Sequence, residues 1–476
     1  MKPHLLKFLP LLVIALVVGS CDGPPTDEEL FSSLKKDVYF LAADDLGGRA
    51  IGTTGEQKAA EYLAQEFEKL GLTPMGTDGF FQGFTVSKPS NPHEEAVIGT
   101  DGAGVTGRNV VAFLDKKADK TIVIGAHFDH LGMGGQGSLH RGDSAIHNGA
   151  DDNASGTAAL LALAKIFKYE TLKSNILFIA FSGEENGLWG SNYFVKNPTI
   201  DLKTVNYMIN MDMVGRLNAE KSLAVHGVGT SPSFPPVLDP INADSLKLVP
   251  SESGVGPSDH TSFYLQDLPV LHFFTGQHAD YHKPSDDADK INYEGLVQVV
   301  RYISRLIAGL DAEPKLAFTK TKDSSDSPRF TVSMGVVPDY LYDGKGMRVD
   351  GVSEGKPAQA AGLMKGDIVI QLGDSTINDM MGYMRALSVF KKGDSTQVVV
   401  QRAQFFARCV RRGVAAFRRV GEFIRRAEDV AVRIAGPRRQ LERGLDRIRV
   451  GRGNGLDGGR VHRVRSVLLL LDPRLL

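Results

Sequence analysis

Two histidines and several carboxylates follow apolar runs in this chain, and that arrangement suits a cation site. The run Thr121–Gly125 is β-branched and leads into His127-Phe128-Asp129. A carboxylate that takes one ring N–H of a histidine leaves the other nitrogen for a metal, which puts Asp129 behind His127. Some twenty residues on, Gly149-Ala150-Asp151-Asp152-Asn153 forms a turn ahead of a small-residue helix. Acids there commonly cap the helix, and they equally offer oxygen ligands. The apolar run Asn175–Phe181 ends in Glu184-Glu185. Capping accounts for one acid, whereas a pair suggests a metal ligand beside a general base. Asp212 ends the run before it, and His282 sits in the loop after the last run. Two His, two Asp and one Glu at the ends of successive runs point to a metal centre with an acid–base partner.

The elements that would position these residues alternate in type. Helical spacing covers Glu28 to Leu70, with the Gly-rich loop LAADDLGGRAIGTTG between two helices. Residues 79–107 read as irregular and Asn109–Leu114 as a strand. Strands at 121–125, 175–181, 205–210 and 268–274 alternate with helices at 156–167, 187–195 and 293–308. Such alternation predicts an α/β fold, with a mixed, mostly parallel sheet flanked by helices and ligands gathered at the carboxyl ends of the strands. A charged, Ser-rich linker is expected over 311–328. A small, mostly-β domain is expected over 329–402, with turns at Asp343-Gly344, Lys365-Gly366-Asp367 and Lys392-Gly393-Asp394.

The length of 476 residues implies two or three domains, and 42% hydrophobic with 23% charged residues is a globular composition. A net charge of -1 gives no reason to expect a nucleic-acid partner. Two cysteines, Cys21 and Cys409, rule out a disulfide framework and a Cys-ligated zinc site. Met1–Ser20 has a basic start and a short apolar stretch, the form of an export signal. The small residues before Cys21 resemble the lipobox of bacterial lipoproteins. That resemblance implies lipidation of Cys21, a membrane anchor, and a place in the bacterial cell envelope facing the periplasm or the exterior. Residues 403–476 contain 18 Arg and no Lys, whereas the preceding chain favours Lys. The change interrupts an expected strand at 395–400, which reads as a frameshift, and no function is assigned to the tail.

AHFDH, GADDNASG, FSGEENGLWGS, NMDMVG and DYHKPSD, in this order, resemble the co-catalytic zinc aminopeptidases of metallopeptidase family twenty-eight. The resemblance covers about Leu30 to Leu310, within an expected peptidase domain at 28–310. It implies two zinc ions held by His127, Asp152, Glu185, Asp212 and His282, with Asp152 bridging and His127 and Glu185 on different ions. Glu184 becomes the general acid/base and Asp129 the partner of His127. Ser258-Asp259-His260 is similar to a family segment near the substrate pocket. Two zincs ~3.5–4 Å apart would acidify a bridging water and polarise the scissile carbonyl. Glu184 would take the water's proton and pass it to the leaving amine. The substrates implied are peptides with a free N-terminus. His130 and His140 are expected to shape loops, and the loop 131–147 to lie near substrate.

FTVSMGVVPDY and PAQAAGLMKGDIVIQLG resemble a bacterial PDZ domain. Its loop Ser333-Met334-Gly335-Val336 would hold the carboxylate of a peptide or protein C-terminus and add the chain as a strand. Two other readings use the peptidase scaffold: a single-zinc glutaminyl cyclase and a non-catalytic peptide-binding lipoprotein. The GLWGS segment after Glu185 speaks against the first, and an intact Glu184 with five ligands against the second.

Overall fold

The computed structural model describes residues 23–87, 97–99, 104–135, 137–140, 142–321, 332–339, 342, 344–352, 355–391, 393–402 and 463–470. The export signal, Cys21, Cys409, the second half of the expected linker and residues 403–462 lie outside them.

The first unit contains strands β1 (Thr73–Pro74), β2 (Phe81–Ser87), β3 (Val97–Gly99), β4 (Val105–Leu114), β5 (Thr121–His127), β6 (Asn175–Phe181), β7 (Val205–Met211), β8 (Ser222–His226), β9 (Lys247–Ser251) and β10 (Val270–Phe274). Its helices are α1 (Asp27–Leu41), α2 (Thr54–Lys69), α3 (Gly156–Tyr169), α4 (Trp189–Lys196), α5 (Pro235–Leu238), α6 (His260–Tyr264) and α7 (Tyr293–Asp311). The sheet order is β3-β2-β4-β6-β5-β7-β10-β8-β9, with β1 on β4. Parallel pairing joins β6, β5, β7 and β10 at the centre and β8 to β9 at one edge; the other pairs are antiparallel.

The central strands are apolar throughout because both faces are covered. Ile122 and Ile124 of β5, with Ile176 and Phe178 of β6, enter one core beneath α1, α2, α3 and α7. Val123, Leu177 and Ile179 point the other way, into a second core with Phe194 of α4 and Phe263 of α6. This alternation is the two-residue period of a strand, and it yields three layers. α1 begins on a capping box of Thr26 and Glu29, and Thr53 caps α2. Among the described residues no helix is long and apolar enough to cross a membrane.

Two expectations need correction. Residues 79–107 are not irregular: they supply β2, β3 and the start of β4. Their apolar pattern is broken by Gln82 and Gly83, yet Gln82 is buried, donating to the Asn197 carbonyl and accepting from Asn109. The linker also starts later than residue 311. α7 runs to Asp311, Leu316 is buried, and Thr319 N–H donates to the Thr230 carbonyl. Thr321 bonds Tyr264 and Gly254, so the chain stays on the first unit to that point.

The second unit has β11 (Val336–Pro338), β12 (Met347–Val352), α8 (Pro357–Ala360), β13 (Ile368–Leu372), β14 (Ser375–Thr376), α9 (Met380–Ser388) and β15 (Ser395–Arg402), around its own core. β15 is uninterrupted and pairs with β13. Arg402 closes the unit by binding Asp367 and donating to the Gly362 carbonyl at 2.8 Å. A further strand, β16 (Arg463–Leu470), pairs antiparallel with β15.

Candidate metal centre

His127 is the last residue of β5, Glu184 and Glu185 follow β6, Asp212 follows β7, and His282 lies beyond β10. The parallel centre of the sheet therefore delivers all of them to one end, where Asp152 arrives from the turn before α3. Two groups form. His127, Asp152 and Asp212 place one ligand atom each within 4.8 Å of one another, as do His130, Asp152 and Glu185. Asp152 belongs to both. His127 Nε2 lies 3.3 Å from Asp152 Oδ1 and 3.3 Å from Asp212 Oδ1. His282 Nε2 lies 3.1 Å from Asp152 Oδ2 and 3.3 Å from Glu185 Oε2.

Each histidine is oriented by a carbonyl. His127 Nδ1 faces the Asp129 main-chain oxygen at 3.2 Å, and His282 Nδ1 faces the Gly137 oxygen at 2.8 Å. A carbonyl only accepts, so Nδ1 carries the hydrogen and Nε2 turns a lone pair toward the carboxylates. A lone pair facing carboxylate oxygens at these distances is favourable only when a proton or a cation lies between them. The Asp129 carboxylate is placed differently from expectation. Its Oδ1 is 3.7 Å from His127 Nδ1 and accepts the Glu184 N–H at 3.1 Å. Asp129 thus supports His127 chiefly through its carbonyl, and its side chain positions Glu184.

The charge balance also fits a cation. Burial disfavours ionisation of Glu184, and with Asp212, Asp259 and Glu185 nearby its pKa stands well above the usual carboxylate value. Burial acts the same way on Glu185, but His282 and His130 outweigh it and bring its pKa down to about 2. For His127, burial opposes the charged ring, while Asp212 and Glu184 overcome this and raise its pKa. Crowded acids that push one of their number up hold more negative charge than the residues neutralise, which favours a bound cation. His130 Nδ1 and Glu185 Oε1 are 2.7 Å apart yet not aligned as a hydrogen bond, as suits two ligands aimed at a common point. Nitrogen and carboxylate donors of this kind fit zinc.

The ligand-bearing segments are tied to one another. The Asp286 Oδ2 atom accepts the N–H groups of Asp151 and Asp152 at 3.0 and 3.1 Å. Asn153 bridges to the Met211 carbonyl and the Met213 N–H, joining the Asp152 turn to the Asp212 loop. Arg49 is fully buried, and its guanidinium donates to the carbonyls of Phe128, Leu41, Asn148 and Gly149. It thereby connects the residue after His127 to the strand of chain before Asp152. Gly48 beside it has φ +72°, and a Cβ there would lie 2.5 Å from the Gly132 and His147 oxygens. The close approach of these loops needs glycine.

The sequence reading missed several of these parts. His130 was expected to shape a loop, but it faces Glu185 within the centre; only the second His of HFDH hinted at it. The loop 131–147, whose task was open, clasps His282 through Gly137 O and the Leu139 N–H. The His140 main-chain N–H bonds Ser138 Oγ within that loop. Arg49 had no signal beyond its place in a Gly-rich loop. Ser258, Asp259 and His260 are buried beside the site, and Ser258 Oγ accepts from Asn210, itself 3.1 Å from His272. In the second unit Ser333 is exposed and its Oγ accepts the Gly335 N–H. Met334 is a core residue, and Val336 begins β11, one of the two edge strands in the order β11-β12-β13-β15-β16.

The sequence profile of "Peptidase family M28" matches residues 109–307, and that of "PDZ domain" matches residues 318–404. The chain is 32% identical over 163 residues to an aminopeptidase, YwaD, of Bacillus subtilis, covering 32% of this chain and 35% of that protein. It is 40% identical over 198 residues to a probable zinc metalloprotease of Pyrenophora tritici-repentis, covering 40% of this chain and 42% of that one. It thus spans under half the length of these two relatives. An uncharacterized Escherichia coli protein, YfbL, is 25% identical over 310 residues, which cover 58% of this chain and 86% of it. A solved zinc aminopeptidase from Bacillus subtilis aligns at a TM-score of 0.46 and 17% identity, over 64% of this chain and 97% of that one. Residues 109–307 thus match peptidase family M28, and residues 318–404 match a PDZ domain.

Proposed function

We propose that this protein is a zinc-dependent exopeptidase that removes N-terminal residues from peptides, with two ions per chain. The observation that carries the reading is the pair of ligand groups sharing Asp152, with Glu184 beside them facing the pocket. His127 and Asp212 would hold one ion, Glu185 and His282 the other with His130 close by, and Asp152 would join both. Zinc bound there supplies a Lewis acid for the scissile carbonyl and acidifies water. The chain's own residues do the rest. Glu184, its N–H fixed by Asp129, accepts a proton from water on its carboxylate and returns it to the leaving amine nitrogen. A raised proton affinity suits that task. His226, His272, Phe274 and Tyr281 line the same pocket and limit the side chain that enters.

A single-zinc cyclase needs one ligand group, and two groups sharing a carboxylate favour the peptidase. Metal analysis together with hydrolysis of leucyl p-nitroanilide tests the reading. We expect two zincs per chain, activity abolished by chelation and restored by zinc. One zinc with cyclisation of N-terminal glutamine would replace the reading by the cyclase, and neither metal nor turnover by a peptide-binding role.

The exposed Ser333 and the edge strand β11 support capture of a peptide C-terminus at the PDZ domain. Amidating the C-terminus of a bound peptide should abolish that binding. The lipobox-like residues before Cys21 support a lipid anchor in the bacterial cell envelope. Its test is mass spectrometry of the mature N-terminus, and an unmodified Cys21 would refute it.

A further inference from the structure

The pocket that holds Glu184 shares part of its wall with a larger space. It measures about 80 Å³, room for a few waters or one small side chain. Past two residues common to both, His226 and Pro257, lies a cavity of about 690 Å³ between the peptidase and PDZ domains. That volume falls within the ~300–1,000 Å³ typical of sites that enclose sizeable ligands. Val249 and Pro250 of β9 contribute to one wall, and Met347, Met380 and Met384 of the PDZ domain to the other. Methionines are flexible and polarisable, so such a wall adapts to varied apolar side chains.

We propose that this interdomain cavity receives the part of a peptide substrate that follows the scissile bond. The enzyme then prefers peptides carrying two or more residues beyond that bond, with apolar side chains among them. The occupant follows from continuity. A chain whose first residue fills the small pocket can leave it along the His226–Pro257 wall, and that wall is already part of the cavity. Recognition falls to side chains. β9 is an edge strand paired only with β8 among the described residues, but Pro250 has no N–H to bond an added strand. The PDZ domain, on this reading, sets substrate length as part of the active-site cleft, apart from any C-terminus held near Ser333. The proposal rests on the aminopeptidase reading above.

The test uses the full zinc-loaded chain with leucyl p-nitroanilide, Leu-Gly and Leu-Gly-Leu-Leu-Gly. The pentapeptide should exceed the dipeptide in kcat/KM by about tenfold or more, equivalent to ~1.4 kcal/mol, mainly through KM. Pro250→Glu alters one wall at an exposed position. Met380→Glu alters the other at the first turn of α9, where an acid is compatible with the helix. Each should bring the pentapeptide-to-dipeptide ratio toward one. A flat length profile in the parent protein, or variants that leave the ratio intact, overturns the cavity proposal alone. Failure to hydrolyse any of the three substrates overturns the aminopeptidase reading, and this proposal with it.

Discussion

Glu184→Gln should lower kcat on an aminoacyl substrate by ~10²–10⁴-fold, the usual contribution of a positioned acid–base group. In barrier height that is about 3–5 kcal/mol. KM and zinc content should change little. The substitution keeps the size of the side chain and the Glu184 backbone N–H that bonds Asp129 Oδ1. It removes only the ability to take and return a proton. Glu185→Gln is the contrasting variant. Glu185 faces both His130 and His282, so its loss should reduce bound zinc as well as turnover. Metal analysis beside steady-state kinetics separates the two residues, although they are adjacent in sequence. Near-parental turnover in Glu184→Gln would refute the assignment of the base.

Arg49→Met should destabilise the peptidase domain by at least about 3 kcal/mol, since each buried acceptor left without a donor costs ~1–3 kcal/mol. The carbonyls of Phe128, Leu41 and Asn148 lose the donor they have in Arg49, while that of Gly149 keeps the Ala154 N–H. For a domain of this size the melting temperature should fall by roughly 6–12 °C. Zinc affinity should fall as well, because the Phe128, Asn148 and Gly149 carbonyls belong to the segments that carry His127 and Asp152. The positive charge matters too: burial lowers the pKa of Arg49 to about 10, and Asp129, Asp152, Asp286 and Glu185 work against that fall. Arg49→Lys keeps the charge without the planar fork that reaches several carbonyls, and should lie between parent and Arg49→Met. Thermal melts with and without zinc, plus zinc stoichiometry, check this. A melt within a degree or two of the parent and full zinc occupancy would show that Arg49 does not position the centre.

Much of the molecule is legible along the chain because short-range pattern governs it. The strands ending at His127, Phe181 and Met211 are apolar runs bounded by turn residues, and each hands a polar side chain to the same edge of a parallel sheet. The five candidate ligands and the paired acids Glu184 and Glu185 are singled out by that pattern and by resemblance to a known family. Strands β2 and β3 escaped notice. Gln82 is buried there through hydrogen bonds to partners 27 and 115 residues away, and hydropathy does not register such partners.

The remaining features depend on groups far apart in sequence meeting in space. Sorting the ligands into two groups about Asp152, and adding His130 to one of them, required the distances between three segments. The Gly137 carbonyl that orients His282 comes from 145 residues upstream, and the Arg49 bonds span up to 100 residues. Likewise, the cavity shared by His226, Pro257 and the PDZ methionines exists only once two domains lie side by side. Strand periodicity and chain direction are local, and they already decide which residue types reach the end of the sheet. Which of those residues share a site, how each ring is turned and what lies beyond the pocket depend on long-range contacts that no local pattern encodes.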